Sequence, residues 1–245
     1  MSEIEFIAPD WPAPVRVKAV TTTRAGGLSE GRFASMNLGD GVGDDPGCVR
    51  ENRRRVRSAL SLPREPLWLK QVHGNQVCDA NISKNLPTAD GSCSRQPGVV
   101  CAILTADCMP VFFCDREGTA VALAHAGWRG LAGGVIASTV KRLDAPAERL
   151  MVWLGPAIGP EAYEVGDDVR RVFLELDQGN AAAFVPGRSN RWMADLYSLA
   201  RRQLIGLGVT NIYGGTFCTH RDAARFFSYR RDGQCGRMAS LIWME

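Results

Sequence analysis

A chain of 245 residues with 45% hydrophobic and 22% charged residues can bury a sizeable core, which excludes a disordered or low-complexity protein. Its net charge of +3 is too small to mark a nucleic-acid surface, and no stretch approaches the roughly 20 apolar residues of a membrane helix. Eight cysteines without a CxxC pair, behind an N-terminus (MSEIEFIAPDWPAP) that lacks a basic start and an apolar run, predict a cytoplasmic protein whose cysteines are thiols.

In chain order, Val15 to Thr23 (VRVKAVTTT) reads as a β-branched strand that runs into the loop Arg24-Ala25-Gly26-Gly27. Residues 31–47, dense in Gly, Asp and Asn but anchored by Phe33, Met36 and Leu38, read as an ordered functional loop. A helix follows over about Pro46 to Leu60, closed before Pro63. Leu67 to Val77 reads as a strand region, and Thr88-Ala89-Asp90-Gly91 as a turn. The continuous apolar run from Gly98 to Thr105 predicts a strand covered on both faces. Short strands are expected at Val111 to Cys114 and Thr119 to Ala124, then a helix over about Leu131 to Leu143. A strand over Arg149 to Leu154 leads into the rigid loop GPAIGP. Helices at Asp167 to Leu176 and Asp195 to Leu207 follow from their acidic starts and apolar spacing. Val209 to Tyr213, the aromatic segment Arg225 to Arg231 (RFFSYRR) and a strand from Met238 to Met244 complete the chain. Strands outnumber helices and do not alternate regularly with them. That pattern predicts an α+β single domain with a large mixed β-sheet core flanked by helices.

Three sites in residues 70–130 carry the chemistry: KQVHGNQV around His73, LTADCMPV around Cys108 and ALAHAGWRG around His125. Each stands beside a β-type run and close to glycine or proline, where side chains from different strand ends can converge. Two imidazoles and one thiolate make a soft donor set for zinc, with a fourth position left for water or substrate. The spacing matches no zinc finger, so a catalytic rather than structural site is expected. Asp107 is a candidate general base or an orienter beside Cys108, or equally a turn cap before Pro110. Met109 would complete a blue-copper set, but as the strand neighbour of Cys108 it should point away, which makes copper the weaker choice. Arg129 beside the start of the helix after His125, and Arg24 beside Gly26-Gly27, are candidate phosphate ligands. Trp128 and the aromatics of residues 225–231 are candidate walls for a planar base, while His220 lacks a ligand pattern and reads as a loop histidine.

The segments TTTRAGGLSEGRFASMNLG, KQVHGNQV, TADGS, LTADCMPV, AHAGWRG, GPAIGPEAYEVG and RFFSYRRDGQCGRMASLIW, in this order across nearly the whole chain, resemble the YfiH-like family, also called polyphenol oxidase or laccase-domain proteins. The resemblance implies that residues 1–245 form one catalytic domain akin to the fold of a bacterial deamidating toxin. It places a metal site at His73, Cys108 and His125. It further implies a zinc-dependent purine nucleoside phosphorylase that cleaves adenosine, inosine and S-methyl-5′-thioadenosine with phosphate to free base and ribose 1-phosphate, with adenosine deaminase activity at its side. Its partners would be purine nucleosides and inorganic phosphate, with no nucleic acid and no membrane. The segment around Cys218 and His220 is less typical, and no role is carried over to it.

Other readings stay open. With Cys108 as nucleophile and His125 as base, the site would be a cysteine hydrolase or amidase acting on cell-wall peptide precursors. A binding module for metal or nucleosides would use the same donors without turnover. A copper-dependent polyphenol oxidase is opposed by arithmetic, since a four-copper centre needs many more imidazoles than the three histidines present.

Overall fold

The computed structural model describes residues 3–83 and 86–245, so Met1 and Ser2 of the acidic N-terminal stretch lie outside it. The first part of the chain contributes β1 (Phe6–Ile7), β2 (Val17–Thr22), α1 (Pro46–Ala59), β3 (Val77–Asp79), β4 (Gly91–Ser94) and β5 (Cys101–Thr105). The middle adds β6 (Met109–Asp115), β7 (Val121–Ala126), α2 (Trp128–Ala132), α3 (Val135–Leu143) and β8 (Leu150–Leu154). After them come β9 (Glu164–Gly166), α4 (Asp167–Leu176), β10 (Phe184–Pro186), β11 (Arg191–Ala194) and α5 (Leu196–Gly206). The chain closes with β12 (Asn211–Gly214), the single turn α6 (Tyr229–Asp232) and β13 (Met238–Met244).

The large mixed sheet flanked by helices is present, with strand order β12-β8-β6-β7-β4-β3; its outermost pairs, β12–β8 and β4–β3, are parallel and the inner ones antiparallel. The remaining strands form an antiparallel sheet of order β1-β2-β13-β5 and a small sheet of order β10-β11-β9. Side-chain alternation explains how the layers stack. On β6 and β8, Val111, Phe113, Val152 and Leu154 face the helices, while Phe112, Cys114, Met151 and Trp153 face the four-stranded sheet. On β5, Cys101 and Ile103 point to that same interior, and Ala102 and Leu104 turn outward to the cluster under α1. The run read as covered on both faces is therefore covered on both. Each fully buried Val, Leu, Ile or Phe in these clusters contributes roughly 1.5–3 kcal/mol.

The helices follow local signals. Asp45 caps α1 by accepting from the N–H groups of Gly47 and Cys48, with Pro46 in the first turn. Asp195 caps α5 in the same way through Tyr197 and Ser198. The helix expected over Leu131 to Leu143 is instead two, because Gly133 and Gly134 interrupt it and Gly134 takes a left-handed φ of 83°. The strand expected over Leu67 to Val77 is also replaced. Leu67 and Lys70 make isolated bridges, and the Gln71 side chain pairs with both the N–H and the C=O of Leu104, taking the place of a strand neighbour. The segment Arg225 to Arg231 is not extended either: Phe226 and Phe227 are fully buried, and Ser228 caps the turn α6.

All eight cysteines are free. Among the described residues no helix is long and apolar enough to cross a membrane.

Candidate metal centre and its cavity

The site lies where three adjacent strands of the large sheet end together. Cys108 stands immediately before β6, and the β6–β7 register sets Pro110 opposite His125 and Met109 opposite Ala126. Asp90 stands immediately before β4, whose Gly91 pairs with Ala124, and the His125 N–H donates to the Asp90 carbonyl at 2.7 Å. Thiol, imidazole and carboxylate are thus placed together by strand register. His73 comes from the irregular segment alongside and completes the set. The donor atoms of His73, Cys108 and His125 all lie within 4.8 Å of one another, and the two imidazole rings meet edge to face at 4.7 Å.

Asp90 holds both histidines, and sequence reading treated it only as part of a turn. One carboxylate oxygen sits 2.8 Å from His125 Nδ1 and accepts the His73 N–H at 2.9 Å; the other accepts the N–H groups of Val72 and Gly74 at 3.1 and 2.7 Å. His73 has a left-handed φ of 60°, a conformation that costs a non-glycine residue about 1–3 kcal/mol, and these three N–H bonds hold it there. Asp90 is fully buried, which alone would raise its pKa; the bonds from His125, Gly74 and Val72 outweigh burial and keep it below the usual carboxylate range. With Nδ1 engaged by a carboxylate, His125 presents Nε2 to a ligand, the arrangement that orients metal-binding histidines.

On the other side, Asp107 has φ 89° and is buried. Its carboxylate accepts the Thr219 hydroxyl at 2.7 Å and the Arg230 N–H at 2.7 Å, and its carbonyl accepts the Ile158 N–H. The structure therefore shows Asp107 tying three distant segments to the backbone beside Cys108. Met109 is fully buried in the helix-side core with Val111 and Phe113, pointing away from Cys108, so the axial ligand of a blue-copper set is missing.

Electrostatics favour a thiolate. Burial would raise the Cys108 pKa, but His125 first and His73 after it bring it down to about 6. Burial would lower His125, and the Cys108 charge together with Asp90 raises it instead. A thiolate, two imidazoles and a carboxylate behind one of them are a donor set that suits zinc, and His73, Cys108 and His125 would hold the ion. Gly127 leaves room for this centre. A Cβ there would stand 2.7 Å from Cys108 Sγ and 3.4 Å from His73 Cδ2.

The trio opens into a cavity of about 660 Å³ whose walls include Trp68, Trp128, Arg129, Tyr163, Tyr229 and Arg230. Arg129 stands at its edge with its guanidinium 4.5 Å over the Trp128 ring and no hydrogen bond or ion pair to the described residues. Arg24 is not part of the lining. Its guanidinium donates to the carbonyls of Ala34 and Ala223 and lies 4.7 Å over Phe227. The helix after His125 is only the five residues of α2, too short for its dipole to hold an anion, so charge at this end of the cavity comes from side chains. Tyr163 and Arg230 line the cavity and were not singled out from sequence. His220 does not line it, as a loop histidine would not.

A mixed α/β domain with a His/Cys/His donor set at the mouth of a cleft is the class that fold and site define. Residues 18–245 match the family described as multi-copper polyphenol oxidoreductase laccase, and the chain belongs to that family. A purine nucleoside phosphorylase of Pseudomonas aeruginosa is 54% identical to it over 241 residues, covering 98% of each chain. The purine nucleoside phosphorylase YfiH of Escherichia coli K12 is 49% identical over 244 residues, covering 98% of this chain and 99% of its own. The crystal structure of a Neisseria meningitidis protein assigned to DUF152 is similar with a TM-score of 0.95 at 50% identity, over 98% of this chain and 99% of that one. The YfiH protein of Bacillus licheniformis gives a TM-score of 0.88 at 31% identity, over 94% and 93%. The motifs read from sequence and these relatives agree on the YfiH-like family.

Proposed function

We propose that this chain, residues 1–245 acting as one catalytic domain, is a zinc-dependent purine nucleoside phosphorylase that cleaves adenosine, inosine and S-methyl-5′-thioadenosine. The observation that carries the reading is the donor set of His73, Cys108 and His125 opening into a cavity with aromatic walls and an unpaired arginine, in a chain whose full-length relatives are named purine nucleoside phosphorylases. The cavity's volume falls within the range of small-molecule sites. Zinc held by the trio supplies Lewis-acid polarisation of a substrate oxygen or nitrogen.

The chain's own residues do the rest. Asp90 fixes the orientation of His125 and the backbone of His73, and Asp107 fixes the backbone beside Cys108. The aromatic walls hold the purine and exclude water, and Arg129 attracts the phosphate. In phosphorolysis an oxygen of hydrogen phosphate forms a bond to the anomeric carbon. The bond to the purine nitrogen breaks with its electron pair leaving on the base, and the proton given up by hydrogen phosphate ends on that base. Adenosine deamination is the side activity of the same site. Zinc is favoured over copper because Met109 is turned into the core and the chain has three histidines in all.

A second reading has one specific observation behind it. Cys108, His125 and Asp90 form a thiolate–imidazole–carboxylate line, the arrangement of a cysteine hydrolase or amidase, for which cell-wall peptide precursors are the substrate class. Replacing Cys108 by Ala removes activity under both readings, so alkylation separates them. In the phosphorylase, zinc protects Cys108 from iodoacetamide, and Cys108→Ala abolishes both phosphorolysis and deamination. Full phosphorolysis in Cys108→Ala sinks the zinc reading, while amide hydrolysis by metal-free protein that ceases on alkylation establishes the hydrolase.

A further inference from the structure

We propose that Arg129, Tyr163 and Arg230 form an oxyanion subsite that takes inorganic phosphate, with the Tyr163 hydroxyl as its neutral hydrogen-bond donor. The inference rests on the phosphorolytic reading above and assigns the residues that hold its second substrate.

Elimination among the cavity's guanidinium groups comes first; Lys70, the cavity's lysine, is exposed to solvent. Arg53 is spent on Asp40, at 2.9 Å, and on the Leu38 carbonyl; Arg237 donates to the carbonyls of Cys235 and Gly236. Arg129 has no such partner among the described residues, and Arg230 donates one guanidinium nitrogen to the Glu164 carbonyl at 2.8 Å, which leaves the remainder of its fork. Both guanidinium groups act electrostatically on the Tyr163 phenol, as do Cys108 and Asp107. Arg129, Tyr163 and Arg230 line the same cavity as the trio, and the Arg230 guanidinium stacks on the Tyr163 ring.

Tyr163 is built as a fixed donor. Its ring packs against the helix-side core, its carbonyl accepts the Ala194 N–H at 2.9 Å, and the Arg230 guanidinium lies 5.1 Å over the ring. Tyr163 lines the cavity, and its hydroxyl makes no hydrogen bond to the described residues. Burial raises the phenol, so that it stays protonated and keeps a proton to donate. A rigid aromatic body with an unspent hydroxyl beside one guanidinium, in a cavity that a second guanidinium also lines, is suited to hydrogen phosphate, which offers several acceptor oxygens and one or two negative charges. A neutral purine has no net charge for two cations to pair with, so the anion is the better occupant. Phosphate held there shares the cavity with the trio.

Steady-state phosphorolysis by zinc-loaded parent and Tyr163→Phe protein, varying inorganic phosphate and adenosine separately, tests the assignment. Loss of one hydrogen bond to a charged group should raise the phosphate KM by about ten- to a hundredfold, with the adenosine KM, zinc content and melting temperature unchanged. An unchanged phosphate KM, or both KM values rising in step, overturns the subsite. A parent chain without phosphate-dependent turnover refutes the phosphorylase reading separately. Phosphorus-31 line broadening on titrating inorganic phosphate then still decides the subsite. Broadening by the parent that is lost in Tyr163→Phe and Arg129→Ala supports it; equal broadening in all three, or none in the parent, overturns it.

Discussion

Two cavities of nearly equal volume lie on either side of the segment that carries His73, and they differ in what their polar groups are doing. The first, about 620 Å³, is lined by Asn75, Asp79, Asn81, Arg95 and Arg142 among others. The groups named are already bonded: Arg95 donates to the carbonyls of Leu143 and Asp144, Arg142 pairs with Asp79 at 3.9 Å, and Asn81 and Asn75 donate to Asp79 and to the Gly133 carbonyl, while Lys141 is exposed at the rim. The second, about 660 Å³, keeps its chemistry unspent, with a low-pKa thiol, two imidazoles, an unpaired guanidinium and a free phenol. Volume does not separate the two. Unsatisfied function does, because a group already bonded within the protein must lose that bond before it can bind anything else.

The largest effect expected of that contrast is at the metal. Stripping zinc with a chelator should lower phosphorolysis on the order of a hundredfold or more, the scale of several kcal/mol of lost transition-state stabilisation. One equivalent of zinc should restore it, and a rate that survives stripping breaks the contrast. Next, Gly127→Ala drives a Cβ to within 2.7 Å of Cys108 Sγ. It should displace the thiolate, lower zinc occupancy and cost about 1–3 kcal/mol of stability, read by metal analysis and thermal melting. Asp90→Asn follows. It keeps the shape but removes the charge that gathers His125 and the three N–H groups, and zinc affinity measured by competition with a chromophoric chelator should fall about 10–100-fold. The smallest effect belongs to the first cavity. Lys141→Ala there should leave rate and zinc content unchanged and stability within about 0.5 kcal/mol.

Legibility from sequence followed the reach of each interaction. The convergence of the trio was readable because each residue stands near an apolar run and close to glycine or proline, and α4 and β13 were readable to the residue from local pattern. Asp90 was not, since its role is to collect N–H groups from residues 72–74 and the ring of His125, contacts created only when strands pair. Tyr163 and Arg230 reach the cavity from segments far from residues 70–130, joined through Asp107 and the β9 region, and no local spacing announces that. Arg24 shows the opposite failure. Its loop looked suited to an anion, but its guanidinium serves the carbonyls of Ala34 and Ala223. The split between α2 and α3 was written in Gly133-Gly134, and the apolar periodicity on either side concealed it.

The most direct measurement is adenosine turnover with and without inorganic phosphate, on protein whose metal has been quantified. Adenine and ribose 1-phosphate appearing only when phosphate is present, at about one zinc per chain as three protein ligands and one open position require, is the expected result. Zinc-loaded protein that releases no purine base would contradict it and shift the assignment to the Cys108–His125 hydrolase.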